Sequence, residues 1–170
     1  MIRAEGTGPD ISFGVPQSLS NLVLHLTFAT KDRVRSLAYP EVRADLAGYI
    51  VGILNNMGCP SIATKAVIDH VHVLFLLSRT ESVSHVVQVV KQESSAWLKG
   101  QKPELKDPFI IKFQWQAGYA VFSVSESNVA KVKAYIENQD EHHKWVTFED
   151  EYREFLNKHD VVFDERYMWD

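Results

Sequence analysis

Ser61-Ile62-Ala63-Thr64-Lys65-Ala66-Val67-Ile68-Asp69-His70-Val71-His72-Val73-Leu74-Phe75-Leu76-Leu77 is the stretch that decides the fold. It holds two runs rich in β-branched and apolar residues, 61–68 and 71–77, separated only by the Asp69-His70 corner. Two such runs so closely joined predict a tight antiparallel hairpin. The second run is apolar at almost every position, as expected of a strand central in a sheet. His70 and His72 stand two residues apart at its start. Because strand side chains alternate, both imidazoles point to the same face.

Upstream of the hairpin, 40–57 places Pro40 at a first helical position and Val42, Leu46, Ile50, Ile53, Leu54 and Met57 at helical spacing, with Gly58 as a stop. Before that helix, 20–30 is rich in Leu, Val, Thr and Phe and predicts a first, central strand with His25 in its middle. Downstream, Ser82 caps a second helix with Val83, Val86, Val87, Val90 and Trp97 as its core stripe. Gln88, Lys91, Gln92, Ser95 and Lys99 are left for its outer surface. The mixed, proline-containing 101–108 reads as a loop, and 113–124 as a fourth strand bent at Gly118. Ser127 can cap a third helix running to about His142, and Thr147 with Asp150 has the capping pattern of a shorter fourth.

This order predicts an α+β fold of the ferredoxin-like, split βαβ type: an antiparallel sheet with helices on one face, plus a C-terminal helical extension. Residues 1–17, with three glycines and two prolines, read as a flexible N-terminal arm. The main domain spans 18–146. Residues 147–170, carrying Phe163, Tyr167 and Trp169 near the end, are expected to pack onto it.

A length of 170 residues suits one domain, and 45% hydrophobic with 24% charged residues is ordinary for a globular protein. No apolar run is long enough to cross a bilayer, so no membrane role is indicated. The first residues lack a basic leader followed by an apolar core, and no secretory signal is read. The single Cys59 excludes an intrachain disulfide and fits a reducing cytoplasm. A net charge of −4 argues weakly against nucleic-acid binding. The distribution softens this, because 137–170 carries 11 acidic and 4 basic residues and the rest of the chain 11 acidic and 14 basic.

His-x-His on a strand can hold one divalent cation, but by itself it also fits two satisfied polar residues near a sheet end. On the third helix Lys131, Tyr135, Gln139 and His143 recur every four residues and line one face, beside an apolar stripe of Val129, Val132 and Ile136. A tyrosine hydroxyl can form covalent intermediates, a glutamine carbonyl can complete a metal's coordination, and Lys131 can meet a phosphate. Taken alone, the same face fits a solvated helix with a half-buried tyrosine at its edge. His25 reads as a core or sheet-face histidine, and His142 and His143 as helix C-terminal residues suited to the dipole. Trp97, Trp115 and Trp169 read as packing residues, and Cys59 as a turn residue.

Asp69-His70-Val71-His72-Val73-Leu74, followed after a helix and a strand by Lys133-Ala134-Tyr135-Ile136-Glu137-Asn138-Gln139, closely resembles the single-tyrosine HUH transposases of small bacterial insertion sequences, including the related repeat-associated tyrosine transposases. The similarity extends to 22–33, to Trp115-Gln116-Ala117-Gly118-Tyr119 and to 147–169, leaving only the arm outside it. The resemblance implies that 18–146 is a catalytic domain. It implies a divalent metal, Mg²⁺ or Mn²⁺, on His70, His72 and Gln139, with Tyr135 as the nucleophile that forms a 5′-phosphotyrosine linkage and releases a DNA 3′-hydroxyl.

The resemblance further implies a cytoplasmic bacterial homodimer that acts on single-stranded DNA at hairpin-flanked sites. Candidate DNA contacts are Lys31, Arg33 and Arg35 after the first strand, Lys91, Ser94, Ser95 and Lys99 on the second helix, and Lys131 beside the tyrosine. Two other readings stay open. One is an RNA-recognition module, which shares this fold and stacks bases on the sheet. The other is a domesticated, non-mobile relative that keeps the fold as a nucleic-acid-binding protein.

Overall fold

The hairpin forms where the sequence places it, with β2 (Ser61–Ala66) antiparallel to β3 (His70–Leu76). β1 (Val23–Ala29) pairs with the other edge of β3, and β4 (Ala120–Ser123) pairs with β1, giving the antiparallel order β2-β3-β1-β4. This computed structural model describes residues 19–101, 112–142 and 145–164. The expected arm at 1–17, His143, most of the 101–108 loop, Tyr167 and Trp169 lie outside the described residues.

Two helices make the crossovers of the split βαβ pattern: α1 (Pro40–Asn56) between β1 and β2, and α2 (Val83–Gln101) between β3 and β4. Both pack on one sheet face, where Leu26, Phe28, Val71, Val73 and Phe75 meet Leu46, Ile50 and Leu54 of α1 and Val86 and Val90 of α2. Burying each large aliphatic side chain here contributes roughly 1.5–3 kcal/mol. Pro40 begins α1, and Gly58 follows it with φ of 67°, a left-handed conformation that glycine adopts at little cost. The Ser82 hydroxyl accepts from the His85 amide at 3.2 Å, the cap expected for α2.

The other face presents Val23, His25, Thr27, Ala29, His70, His72 and Leu74, and it is covered as well. α3 (Val129–Glu137) packs Ile136 against Val23 and Leu74. α5 (Phe148–Lys158) packs Phe148, Tyr152 and Leu156 against Ala29, Ala120 and Phe122. The two crossover helices therefore share one face, and the tyrosine helix and the C-terminal extension close the opposite one.

Two elements differ from the sequence reading. The third helix is not continuous to His142: a 3₁₀ turn, Glu126–Asn128, leads into α3, which ends at Glu137, and α4 (Gln139–His142) follows a break at Asn138. The Asn138 side-chain amide donates to the Ala134 carbonyl at 2.9 Å, a local bond of the kind that competes with helix propagation. The fourth strand is also shorter than 113–124. Trp115 makes only one bridge, to Thr30, and side chains of α2 anchor the segment in place of a ladder. The Trp115 indole donates to Ser94 Oγ at 3.0 Å, and Lys91 Nζ donates to the carbonyls of Gln116, Ala117 and Gly118 at 2.7–3.1 Å. Among the described residues no helix is long and apolar enough to cross a membrane.

Candidate metal centre and nucleophile

His70 and His72 are opposite Ala29 and Thr27 of β1, on the sheet face that α3 and α5 cover. They are 1% and 0% exposed. Their Nε2 atoms lie 3.8 and 3.6 Å from Oε2 of Glu151, which enters from α5. One ligand atom from each of the three lies within 4.8 Å of the others.

Each histidine is oriented through its second nitrogen. His70 Nδ1 meets Asp69 Oδ1 at 2.7 Å, and Arg33 donates to the other oxygen of Asp69 at 2.6 Å. Burial pushes the Asp69 carboxyl up, but its hydrogen bonds to His70 and Arg33 and their charges outweigh burial and hold it down at about 2. His72 Nδ1 meets His25 Nε2 at 3.1 Å. Burial, with further lowering by His72 and His159, takes the His25 pKa well below its ordinary value, so the ring is neutral. The carboxylate commits His70 to a proton on Nδ1, and a partner on the second nitrogen is the usual means by which metal-ligating histidines are oriented.

Gln139 lies against the cluster through Glu151. It is fully buried on α4, and its Nε2 donates to Glu151 Oε1 at 3.1 Å. Its carbonyl Oε1 is buried with no hydrogen-bond partner among the described residues. A buried, unsatisfied acceptor costs about 1–3 kcal/mol, and a cation would remove that cost. Two imidazoles, a carboxylate and an amide oxygen together suit a divalent cation of the borderline-to-hard class. Burial raises the Glu151 carboxyl to about 7, with nearby His70 opposing the rise. A carboxyl held so far up is a group that a cation would stabilise.

Tyr135 belongs to the same site. Its ring lies edge-on to His72 at 5.9 Å and to His142 at 5.4 Å between centroids, and 6.3 Å from His25. The hydroxyl is buried and makes no hydrogen bond among the described residues. Tyr135, His25, His142, Glu151, Phe155 and Lys131 line a cavity of about 560 Å³ beside the cluster of His70, His72 and Glu151. Tyr135 and Gln139 fall on either side of the break at Asn138, the first against His72 and the second against Glu151. α3 aims the tyrosine, and the short α4 restarts with the glutamine turned inward.

The candidate DNA contacts fall into two groups. Lys31, Arg35, Lys99 and Lys131 are exposed, and Ser95 is half-buried. Arg33, Lys91 and Ser94 are engaged within the fold. The Arg33 guanidinium pairs with Asp69 and lies 4.4 Å from the Phe148 ring centre. Lys91 holds the carbonyls of Gln116, Ala117 and Gly118, and burial lowers its amine to about 8. Ser94 is 0% exposed and donates to the Val90 carbonyl. Local spacing leaves all three open to DNA, because it does not reveal that α5 reaches Arg33 or that the 113–118 segment covers that side of α2. His142 likewise does more than end a helix, since its ring packs on Tyr135 and its Nε2 lies 3.8 Å from Glu151 Oε1.

Sequence reasoning missed Glu151 and the role of His25. A signal for Glu151 exists: it falls three residues after Phe148 and one before Tyr152, on the stripe that α5 buries. An acidic residue on an apolar helix face is itself informative.

Residues 18–139 match the family model described as "Transposase IS200 like". The chain belongs to the IS200-like transposase family and is a DNA transposase. It is 30% identical over 124 residues to the transposase for insertion sequence element IS200 of Salmonella typhimurium, a match that covers 73% of this chain and 80% of that one. It is 28% identical over 118 residues to the ISDra2 transposase TnpA of Deinococcus radiodurans, covering 69% and 84%. A crystal structure of a transposase from Deinococcus radiodurans R1 superposes with a TM-score of 0.58 at 29% identity, over 74% of this chain and 96% of that one. A REP-associated tyrosine transposase bound to a REP hairpin shares the fold, with a TM-score of 0.55 at 14% identity over 80% and 76%.

Proposed function

We propose that this transposase cleaves and rejoins single-stranded DNA through a covalent 5′-phosphotyrosine intermediate, with Tyr135 as the nucleophile and a divalent cation on His70, His72 and Gln139. Glu151 joins that donor set. The observation that carries the reading is the convergence, within one chain, of the two Nε2 atoms and the Glu151 carboxylate with the unsatisfied Gln139 carbonyl beside Tyr135.

A bound Mg²⁺ or Mn²⁺ would supply Lewis acidity toward the scissile phosphate. The remaining chemistry belongs to the chain. The Tyr135 phenol gives up its proton as its oxygen forms a bond to phosphorus, and the bond from phosphorus to the 3′-oxygen breaks. The 3′-oxygen leaves as the hydroxyl by taking a proton back from the group that received the phenol's. His142 lines the same cavity as Tyr135, with its ring packed on the tyrosine ring, and is available to accept the phenol proton. Because the new linkage is still a phosphodiester, a second 3′-hydroxyl can displace the tyrosine and rejoin the strand. The helices over the sheet exclude bulk water from the histidines.

Hairpins near the ends of the mobile DNA would position the cleavage site, and a homodimer would bring two ends together. The covered sheet face disfavours the RNA-recognition alternative, which needs sheet aromatics open to bases. The test is incubation with labelled hairpin DNA and Mn²⁺ followed by denaturing electrophoresis. A protein–DNA adduct is expected from the wild type and none from Tyr135→Phe. An undiminished adduct in Tyr135→Phe sinks the assignment.

A further inference from the structure

We infer that His25 is a positioning residue of the metal centre, whose Nε2 lone pair holds the His72 proton on Nδ1 so that His72 Nε2 is presented to the cation. This rests on the proposed metal site. A neutral imidazole carries one N–H and one lone pair, so the contact of 3.1 Å between His25 Nε2 and His72 Nδ1 can be made in only two ways. In the first, His72 donates from Nδ1, its Nε2 lone pair faces the cluster, and His25 keeps its own proton on Nδ1. In the second, His25 donates from Nε2, and the His72 proton moves to Nε2. There it points toward Glu151 Oε2, 3.6 Å away, and the lone pair is withdrawn from any cation.

Ligation by His72 therefore dictates the tautomers of both rings. His70 has no such choice, because its Nδ1 faces a carboxylate oxygen, which only accepts. The two histidines of the motif are thus oriented by different means. A carboxylate commits His70, and a second imidazole from the neighbouring strand commits His72.

The surroundings of His25 keep it in this role. It is 3% exposed and lies in β1 between Leu74 of β3 and Phe122 of β4. Its ring is edge-on to Phe155, with centroids 5.3 Å apart, so rotation away from His72 is blocked on the cavity side. It is absent from the convergent ligand set found among the described residues and touches that set through its hydrogen bond with His72.

The tautomers are read directly from long-range proton–nitrogen spectra of ¹⁵N-labelled, metal-free protein. His72 is expected as Nδ1–H with His25 also Nδ1–H, and a wild-type spectrum with His72 as Nε2–H overturns the inference. Manganese affinity is then measured by calorimetry. His25→Leu removes the acceptor and is expected to weaken Mn²⁺ binding about 10–100-fold. His25→Gln, whose amide oxygen can accept, is expected to recover most of that loss. Equal affinity in wild type and His25→Leu rejects the role of His25, and so does a loss that His25→Gln leaves unrepaired. His72→Ala separates this from the reading beneath it. If that variant binds Mn²⁺ like the wild type, the metal site itself is misassigned. If it loses Mn²⁺ while His25→Leu keeps it, only the inference about His25 falls. Should His25→Leu not fold, the wild-type tautomer and the His25→Gln affinity still decide.

Discussion

Gln139 donates to Glu151 across 3.1 Å, a buried hydrogen bond between residues twelve apart that ties the segment after the tyrosine helix to the C-terminal helix. Glu151 lies over His70 and His72, and Gln139 adds a buried oxygen that no hydrogen bond among the described residues satisfies. The C-terminal extension is therefore part of the candidate site as well as part of the fold.

Glu151→Ala should uncouple these elements. The buried Gln139 amide loses its acceptor, at a cost of about 1–3 kcal/mol, and the cluster loses the carboxylate ligand atom that Glu151 supplies. Calorimetric titration with Mn²⁺ is expected to show weaker binding, and thermal melting a lower midpoint. Unchanged Mn²⁺ affinity would remove Glu151 from the donor set.

Glu151 also sets a pH dependence in the metal-free protein. Its carboxyl is raised from an ordinary 4.5 to about 7, so the folded state binds the proton more tightly than the unfolded chain. Stability from this group is present in full below pH 4.5 and is lost as pH rises through 7, by about 3 kcal/mol. In chelator, urea midpoints between pH 5 and 8 should therefore fall more steeply for wild type than for Glu151→Gln. Saturating Mn²⁺ should reverse the loss.

Arg33 and Lys131 should separate on opposite readouts. Arg33 joins Asp69 to α5 through a salt bridge of 2.6 Å and its stack on Phe148. Arg33→Ala leaves Asp69 part-buried with one partner fewer and should cost about 2–3 kcal/mol in urea denaturation. Lys131 is exposed at the cavity wall, so Lys131→Ala should leave the melting curve unchanged. Its effect should appear as weaker DNA binding and a salt slope reduced by about 1.

The ring centroids of Tyr135 and His72 stand 5.9 Å apart within one chain, and the proposed site read from that arrangement takes its tyrosine and its histidines from the same subunit. Mixing His72→Ala with Tyr135→Phe should then give no DNA adduct beyond either variant alone. Recovery of adduct in the mixture would show that the tyrosine serves a partner's histidines.

Much of this was legible in the linear chain because it depends on local rules. The β2–β3 hairpin, the α1 and α2 stripes, the Ser82 and Thr147 caps and the shared face of His70 and His72 all follow from alternation, helical period and capping chemistry. The pairing of His-x-His with Tyr135 and Gln139 was legible only as a resemblance, since nothing local brings a strand at 70 to a helix at 135. The break at Asn138 was not legible, because Asn is tolerated within helices and neither its bond to Ala134 nor the burial of Gln139 against Glu151 can be read from local spacing.

The sequence by itself therefore determined most of the elements, the order of the split βαβ pattern and the residue types able to bind a cation and form a covalent intermediate. Tertiary structure alone decided which partners those residues meet. The sheet register puts His25 against His72, and docking of α5 brings Glu151 to both histidines. Packing of the 113–118 segment turns Lys91 and Ser94 inward. Each of these contacts joins residues distant along the chain, and their geometry is set by the burial of apolar faces over the whole domain, which no local pattern encodes.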